Sequence, residues 1–92
     1  MNLYYYGVLW SISMTKPQGK SPLYRRQLGL AIRRRREAAH LSQEKLAELA
    51  DVHRNYIGLV ERGDQNLTVD TLVRIAKALA CRSSTLLADA EI

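Results

Sequence analysis

The sequence predicts an all-α fold, a compact bundle of five helices. Three observations predict it. From about residue 22 onward, apolar residues recur at three- and four-residue steps, which gathers them on one face of a helix. Helix-starting and helix-stopping residues punctuate that pattern five times. After residue 13, no stretch alternates apolar and polar side chains as a half-buried strand would.

The first helix is expected from about Pro22 to Ala39, ending at His40. Ser21 would be its N-cap, and Pro22 suits the first helical position because its missing N–H has no partner there anyway. Leu28, Ile32, Arg35 or Arg36, and Ala39 mark its inner face. Ser42 caps the second helix, which has Glu44 in its first turn, Leu46, Leu49 and Ala50 inward, and a stop near Asp51-Val52. The third runs from Arg54 to Arg62, with Ile57 and Val60 inward and Gly63 as its stop. Thr68 caps a fourth helix whose Leu72, Ile75, Ala76 and Leu79 form an i, i+3, i+4, i+7 stripe. Ser83 or Ser84 would cap a short fifth helix carrying Leu86 and Leu87.

Composition narrows the function classes. The 92 residues are one domain's worth, 47% hydrophobic and 25% charged, as in folded rather than disordered chains. A single cysteine, Cys81, makes no internal disulfide, and with two histidines it falls short of a four-ligand zinc site. Cys81 is expected as core filler. No nucleophile–base arrangement, metal cluster or glycine-rich phosphate loop is present, so neither an enzyme nor a cofactor is expected.

The formal net charge is +5, unevenly spread. Lys16, Lys20, Arg25, Arg26 and Arg33 to Arg36 crowd residues 14–40, opposed there by Glu37 alone. Such a segment suits the phosphates of a nucleic acid. It also reads as a solvated face, since four consecutive arginines spread around a helix at about 100° per residue.

Residues 1–21 form an apolar, then basic leader ahead of a domain over 22–92. Its opening, MNLYYYGVLWSIS, lacks the charged start of a signal peptide and is shorter than the roughly 20 apolar residues of a membrane span. Two readings remain: an arm that packs on the domain or a neighbour, or dispensable codons ahead of a start at Met14. The second is the expectation. A cytoplasmic protein without a membrane partner follows.

The second and third helices abut through a three- or four-residue connection, the geometry of a helix-turn-helix. Ala47 is small where the third helix approaches, and Asp51 tolerates a left-handed turn. With Ile57 inward, Val60 and Glu61 share its side, and Asn55, Leu59 and Arg62 fall opposite.

LSQEKLAELADVHRNYIGLVERG resembles the helix-turn-helix of Cro and phage repressors, and NLTVDTLVRIAKALA resembles that family's fourth helix. The likeness runs from about Leu28 to Leu87. Its HRNYIGLVERG stretch is most similar to small controller proteins of restriction–modification systems. The resemblance implies a repressor-like DNA-binding domain that acts as a transcriptional regulator, with residues 53–62 as the recognition helix in the major groove. Arg54, Asn55, Gly58 and Leu59 match the groove-facing positions, and Gln43 matches a phosphate-holding one. Arg36 and Glu61 match a pair that bridges the first helix to the recognition helix. Asparagine can pair with adenine and arginine with guanine. Leu59 either meets a thymine methyl or is an ordinary surface leucine. Gly58 either admits close backbone approach to DNA or is incidental. His53 caps the third helix or touches a phosphate, and Tyr56 bonds a phosphate or packs inward. Ser42 and Arg62 complete the phosphate candidates.

A single domain of this kind offers a small footprint, so a homodimer on palindromic double-stranded DNA is expected, with Leu86 and Leu87 as the dimer surface. The alternative is an antitoxin-like protein that silences a protein partner. Four positions depart from the family pattern: His40, Asp51 and Ala80 where glycine is usual, and Leu67 where proline is common.

Overall fold

A computed structural model describes residues 21–92. Residues 1–20 of the leader, with the expected start at Met14, lie outside the described residues. Five helices follow in order: α1 (Leu23–Ala38), α2 (Gln43–Ala50), α3 (Arg54–Glu61), α4 (Val69–Ala78) and α5 (Ser83–Ala90). Among the described residues there is no strand, and no helix is long and apolar enough to cross a membrane.

Each helix contributes one fully buried large side chain to a shared core. These are Ile32, Leu46, Ile57, Ile75 and Leu86, in chain order. The α4 stripe of Leu72, Ile75, Ala76 and Leu79 is buried as its spacing predicts. Ala47 is also buried, so α3 can lie close on α2. Leu49 departs from expectation: it is 50% exposed, one residue too far around α2 to share the face of Leu46 and Ala50.

Three helices start on side-chain caps. Ser42 Oγ accepts from Lys45 N at 2.9 Å, and Thr68 Oγ1 from Thr71 N at 3.1 Å. His53 Nδ1 accepts from Asn55 N at 3.1 Å. The other two starts differ from expectation. Pro22 itself occupies the N-cap of α1, and Ser21, one residue earlier, donates to Asp64 Oδ1 at 2.8 Å, across the domain. Arg82 occupies the N-cap of α5, so Ser83 and Ser84 lie inside the helix and cap nothing.

All five helices end alike. A left-handed residue follows each: His40, Asp51, Gly63, Ala80 and Glu91, with φ from 58° to 81°. The next N–H then reaches back five residues, as in Leu41 N to Arg36 O at 3.1 Å and Val52 N to Ala47 O at 2.9 Å. Only one of the five is a glycine. The departures at His40, Asp51 and Ala80 therefore do not move the helix ends. Each instead holds a side chain in a conformation that costs about 1 kcal/mol. At Asp51 the turn is braced from outside, because Arg74 Nη1 donates to Asp51 O at 3.0 Å and Ala50 O at 3.4 Å. That guanidinium covers the carbonyl end of α2, where a cation is favoured.

Candidate nucleic-acid interface

The helix-turn-helix is α2, the turn Asp51–Val52–His53, and α3. Its geometry is fixed from behind by α1. Gly29 faces the end of α3 so closely that a Cβ there would sit 2.6 Å from Glu61 O and closer still to Val60 O. Only a glycine permits this approach. It brings Arg36, two turns further along α1, against Glu61.

The Arg36–Glu61 pair is nearly buried, with side-chain exposures of 11% and 3%. Arg36 Nε donates to Glu61 Oε2 at 2.6 Å and Nη2 to Oε1 at 3.0 Å, a two-pronged contact that matches guanidinium to carboxylate. Arg36 Nη1 donates to Leu41 O at 2.8 Å, closing the α1–α2 connection. Hydrogen bonding to Glu61 holds the Arg36 guanidinium pKa above its already high ordinary value, against the opposing effect of burial.

The same carboxylate orients Gln43. Gln43 Nε2 donates to Glu61 Oε1 at 2.9 Å, leaving the amide's second hydrogen uncommitted at the N-terminus of α2. That terminus also presents backbone N–H groups suited to an anion. Ser42, Gln43 and Arg62 are exposed around it. His53 serves as cap, and since Nδ1 accepts there, Nε2–H is its remaining donor. Tyr56 is half-buried and packs on the core.

On α3, Arg54 and Asn55 are exposed. Arg54 Nη1 lies 3.4 Å from Glu44 Oε2 in a pair exposed on both sides, which holds it with at most about 1 kcal/mol. The other two groove candidates sit deeper than the sequence suggested. Leu59 is half-buried, and Gly58 is buried under the side chains of Gln43 and Arg62. A Cβ on Gly58 would meet both at 3.6 Å, an ordinary van der Waals distance, so the fold does not require glycine there.

The arginine run is mostly spoken for. Arg33 pairs with Glu37 at 3.2 Å, Arg35 with Asp89 of α5 at 2.6 Å, and Arg36 with Glu61. Arg34 alone of the four has no carboxylate partner among the described residues. Arg35 holds the Asp89 carboxyl below its usual pKa, and the Ser21 hydroxyl followed by Arg62 does the same for Asp64. The run therefore staples α1 to α3 and α5.

Sequence reasoning missed Gly29, Arg74 and Asp89, and it placed Glu44 in the first turn of α2 without its pairing to Arg54. Gly29 alone left a signal: a glycine inside a strong helical pattern costs stability and demands a packing reason.

The geometry can be set against known proteins. The helix-turn-helix family matches residues 32–86, more than half of the chain and all five helices in whole or part. The chain belongs to this helix-turn-helix family. It is 52% identical over 48 residues to the control protein C.SmaI of Serratia marcescens, covering 52% of this chain and 57% of that one. It is 45% identical over 49 residues to the control protein C.BamHI of Bacillus amyloliquefaciens, covering 53% of this chain and 60% of that one. The match thus spans under two-thirds of either relative. Among solved structures, the restriction–modification controller protein C.AhdI of Aeromonas hydrophila superposes with a TM-score of 0.65 at 38% identity. That superposition covers 65% of this chain and 91% of C.AhdI. These relatives bear out both the helix-turn-helix resemblance and its likeness to restriction–modification controllers.

Proposed function

We propose that this helix-turn-helix protein is a sequence-specific transcriptional regulator of double-stranded DNA. The observation that carries the reading is the Arg36–Glu61–Gln43 chain of hydrogen bonds. It couples a phosphate-ready helix N-terminus to α3, whose outer face presents Arg54 and Asn55. In this reading α3 enters the major groove. Arg54 reads guanine and Asn55 adenine. Gln43, the α2 N-terminus, Ser42, His53 and Arg62 fix the register on phosphates, and Tyr56 adds an edge contact. Leu59, half-buried beside them, meets a thymine methyl with whatever surface it retains.

Two copies on a palindrome complete the proposal, since one such module covers only a half-site. Leu86 is fully buried inside the monomer and has no surface to offer a partner. The dimer contact on α5 is accordingly assigned to Leu87, which is half-buried against the core. The similarity to control proteins supports regulation over the silencing of a protein partner.

Selection from random oligonucleotides, repeated at two salt concentrations, tests this reading. A twofold-symmetric consensus with half-sites about one helical turn apart, and affinity falling steeply with salt, is the expected result. Salt-sensitive binding without a consensus would leave only a basic surface and overturn the reading.

A further inference from the structure

The two ends of α3 are held by different means. At its C-terminal end, Gly29 and the Arg36–Glu61 pair lock it onto α1. Its N-terminal end carries Arg54 and Asn55, and the chain reaches it through the turn Asp51–Val52–His53. That turn is gripped from α4, which packs on α2. Arg74 Nη1 donates to Asp51 O at 3.0 Å and to Ala50 O at 3.4 Å. Arg74 Nε is shielded from solvent and lies 3.3 Å from Asp70 Oδ2, an ion pair without hydrogen-bond alignment. The guanidinium therefore stands between a carboxylate of its own helix and two carbonyls at the end of α2.

The turn needs such a hold. Asp51 sits at φ 58° and ψ 50°, in the left-handed region that disfavours a side chain. Val52 anchors the turn from inside, packed against the core, with its N–H bonded to Ala47 O. Arg74 closes it from outside. A small rotation about Asp51 swings the start of α3 relative to Gln43 at the start of α2. Phosphate contacts through long exposed side chains tolerate such a shift. A two-pronged contact to a base edge does not, because it needs its support within about half an ångström.

We propose that Arg74 is a positioning residue for base reading: its bonds to Ala50 and Asp51 fix the angle at which α3 presents Arg54 and Asn55. The inference rests on the DNA-binding reading and adds to it a residue of α4 that is outside the proposed DNA contacts. An arginine suits the place, since its planar fork meets two acceptors in one geometry, where lysine offers a single point charge. The five large core side chains do not depend on this bond, so its loss should loosen the turn before it loosens the fold.

The full chain is compared with Arg74→Met, which keeps an unbranched stem without donors, and with Arg74→Lys, which keeps a charged donor. Each is titrated with the selected operator, with an operator altered at the base pairs that α3 reads, and with unrelated DNA. In Arg74→Met the preference for the operator should fall about tenfold, the scale of one good base contact. Affinity for unrelated DNA and the salt slope should stay unchanged, since no phosphate contact is lost. Arg74→Lys should recover most of the preference. A purely structural role predicts otherwise, because a smaller folded fraction weakens binding to every DNA by the same factor. Equal losses on all three DNAs therefore overturn the proposal, and so does an unchanged preference in Arg74→Met. If Arg74→Met loses its helical circular dichroism, Asp70→Asn, at an exposed carboxylate that steadies the arginine, takes over the comparison. A weaker preference there upholds the proposal, and an unaltered one overturns it. Failure of the unaltered chain to select any consensus defeats the DNA-binding reading itself, and this inference with it.

Discussion

Glu61 Oε1 accepts from the Gln43 amide at 2.9 Å while the same carboxylate is gripped by Arg36 on two nitrogens. The α1–α3 staple and the α2 N-terminus are therefore one unit. A structural ion pair sets the aim of a side chain proposed to hold DNA.

Breaking that unit should cost both stability and binding. Removing one partner of a buried pair leaves the other charge uncompensated, a loss of about 3–5 kcal/mol. Arg36→Met and Glu61→Leu should each lower the urea midpoint accordingly, and together they should lose less than the sum. Gln43→Ala leaves the pair intact. It should weaken operator binding by roughly tenfold with little change in stability, the weight of about one charge-assisted hydrogen bond. Equal urea midpoints for Arg36→Met and the unaltered protein would remove the staple from the account.

Two glycines in the helices should respond oppositely to the same substitution. Gly29→Ala drives a methyl into the backbone carbonyls of Val60 and Glu61, which have no rotamer to yield. It should destabilise the domain by about 1–3 kcal/mol. Gly58→Ala finds only flexible side chains at 3.6 Å and should gain up to about 1 kcal/mol of helix stability. Thermal unfolding of both variants checks the pair. Operator titration of Gly58→Ala then separates the two readings of that residue. Weaker binding by a more stable protein marks close approach to DNA, and unchanged affinity marks an incidental glycine.

Helix number, core and turn were legible because caps and stripes are local. Ser42, Thr68 and the Leu72–Leu79 stripe act within a few residues, and their sequence neighbours reveal them. Arg36–Glu61 was legible only through family resemblance, since its members lie in different helices. Ser21, Leu86 and Arg35 show why the rest was not. Ser21 stands one residue ahead of the cap and bonds to Asp64, a long-range partner that no local rule detects. Leu86 looks like surface on a short helix until the packing of α5 on α1 buries it. Arg35 reads only as one of a basic run, open to phosphates or to solvent, until Asp89, near the chain end, comes alongside. In each case a distant residue decides the role of a local one.

Ala80 ends α4 at φ 59°, where its Cβ crowds the following carbonyl. Ala80→Gly should relieve that strain by about 0.5–1 kcal/mol, net of the glycine's greater freedom in the unfolded chain. For a domain of this size the melting temperature should rise by about 2–8 °C. A fall would show that the left-handed turn carries no strain at this position.

Arg54 and Asn55 decide whether α3 reads bases. Both are exposed, and Arg54 gives up only a weak surface pair with Glu44 when it leaves for DNA, so their substitution should spare the fold. Arg54→Ala should cost about 1–3 kcal/mol of operator affinity and relax the preference at one base pair in each half-site. Asn55→Ala should do the same at a neighbouring pair. Repeating the oligonucleotide selection with each variant measures this directly. A uniform drop in affinity with the consensus intact would move Arg54 from base to phosphate. The salt slope would settle that point, falling by about one unit for each phosphate that the variant no longer neutralises.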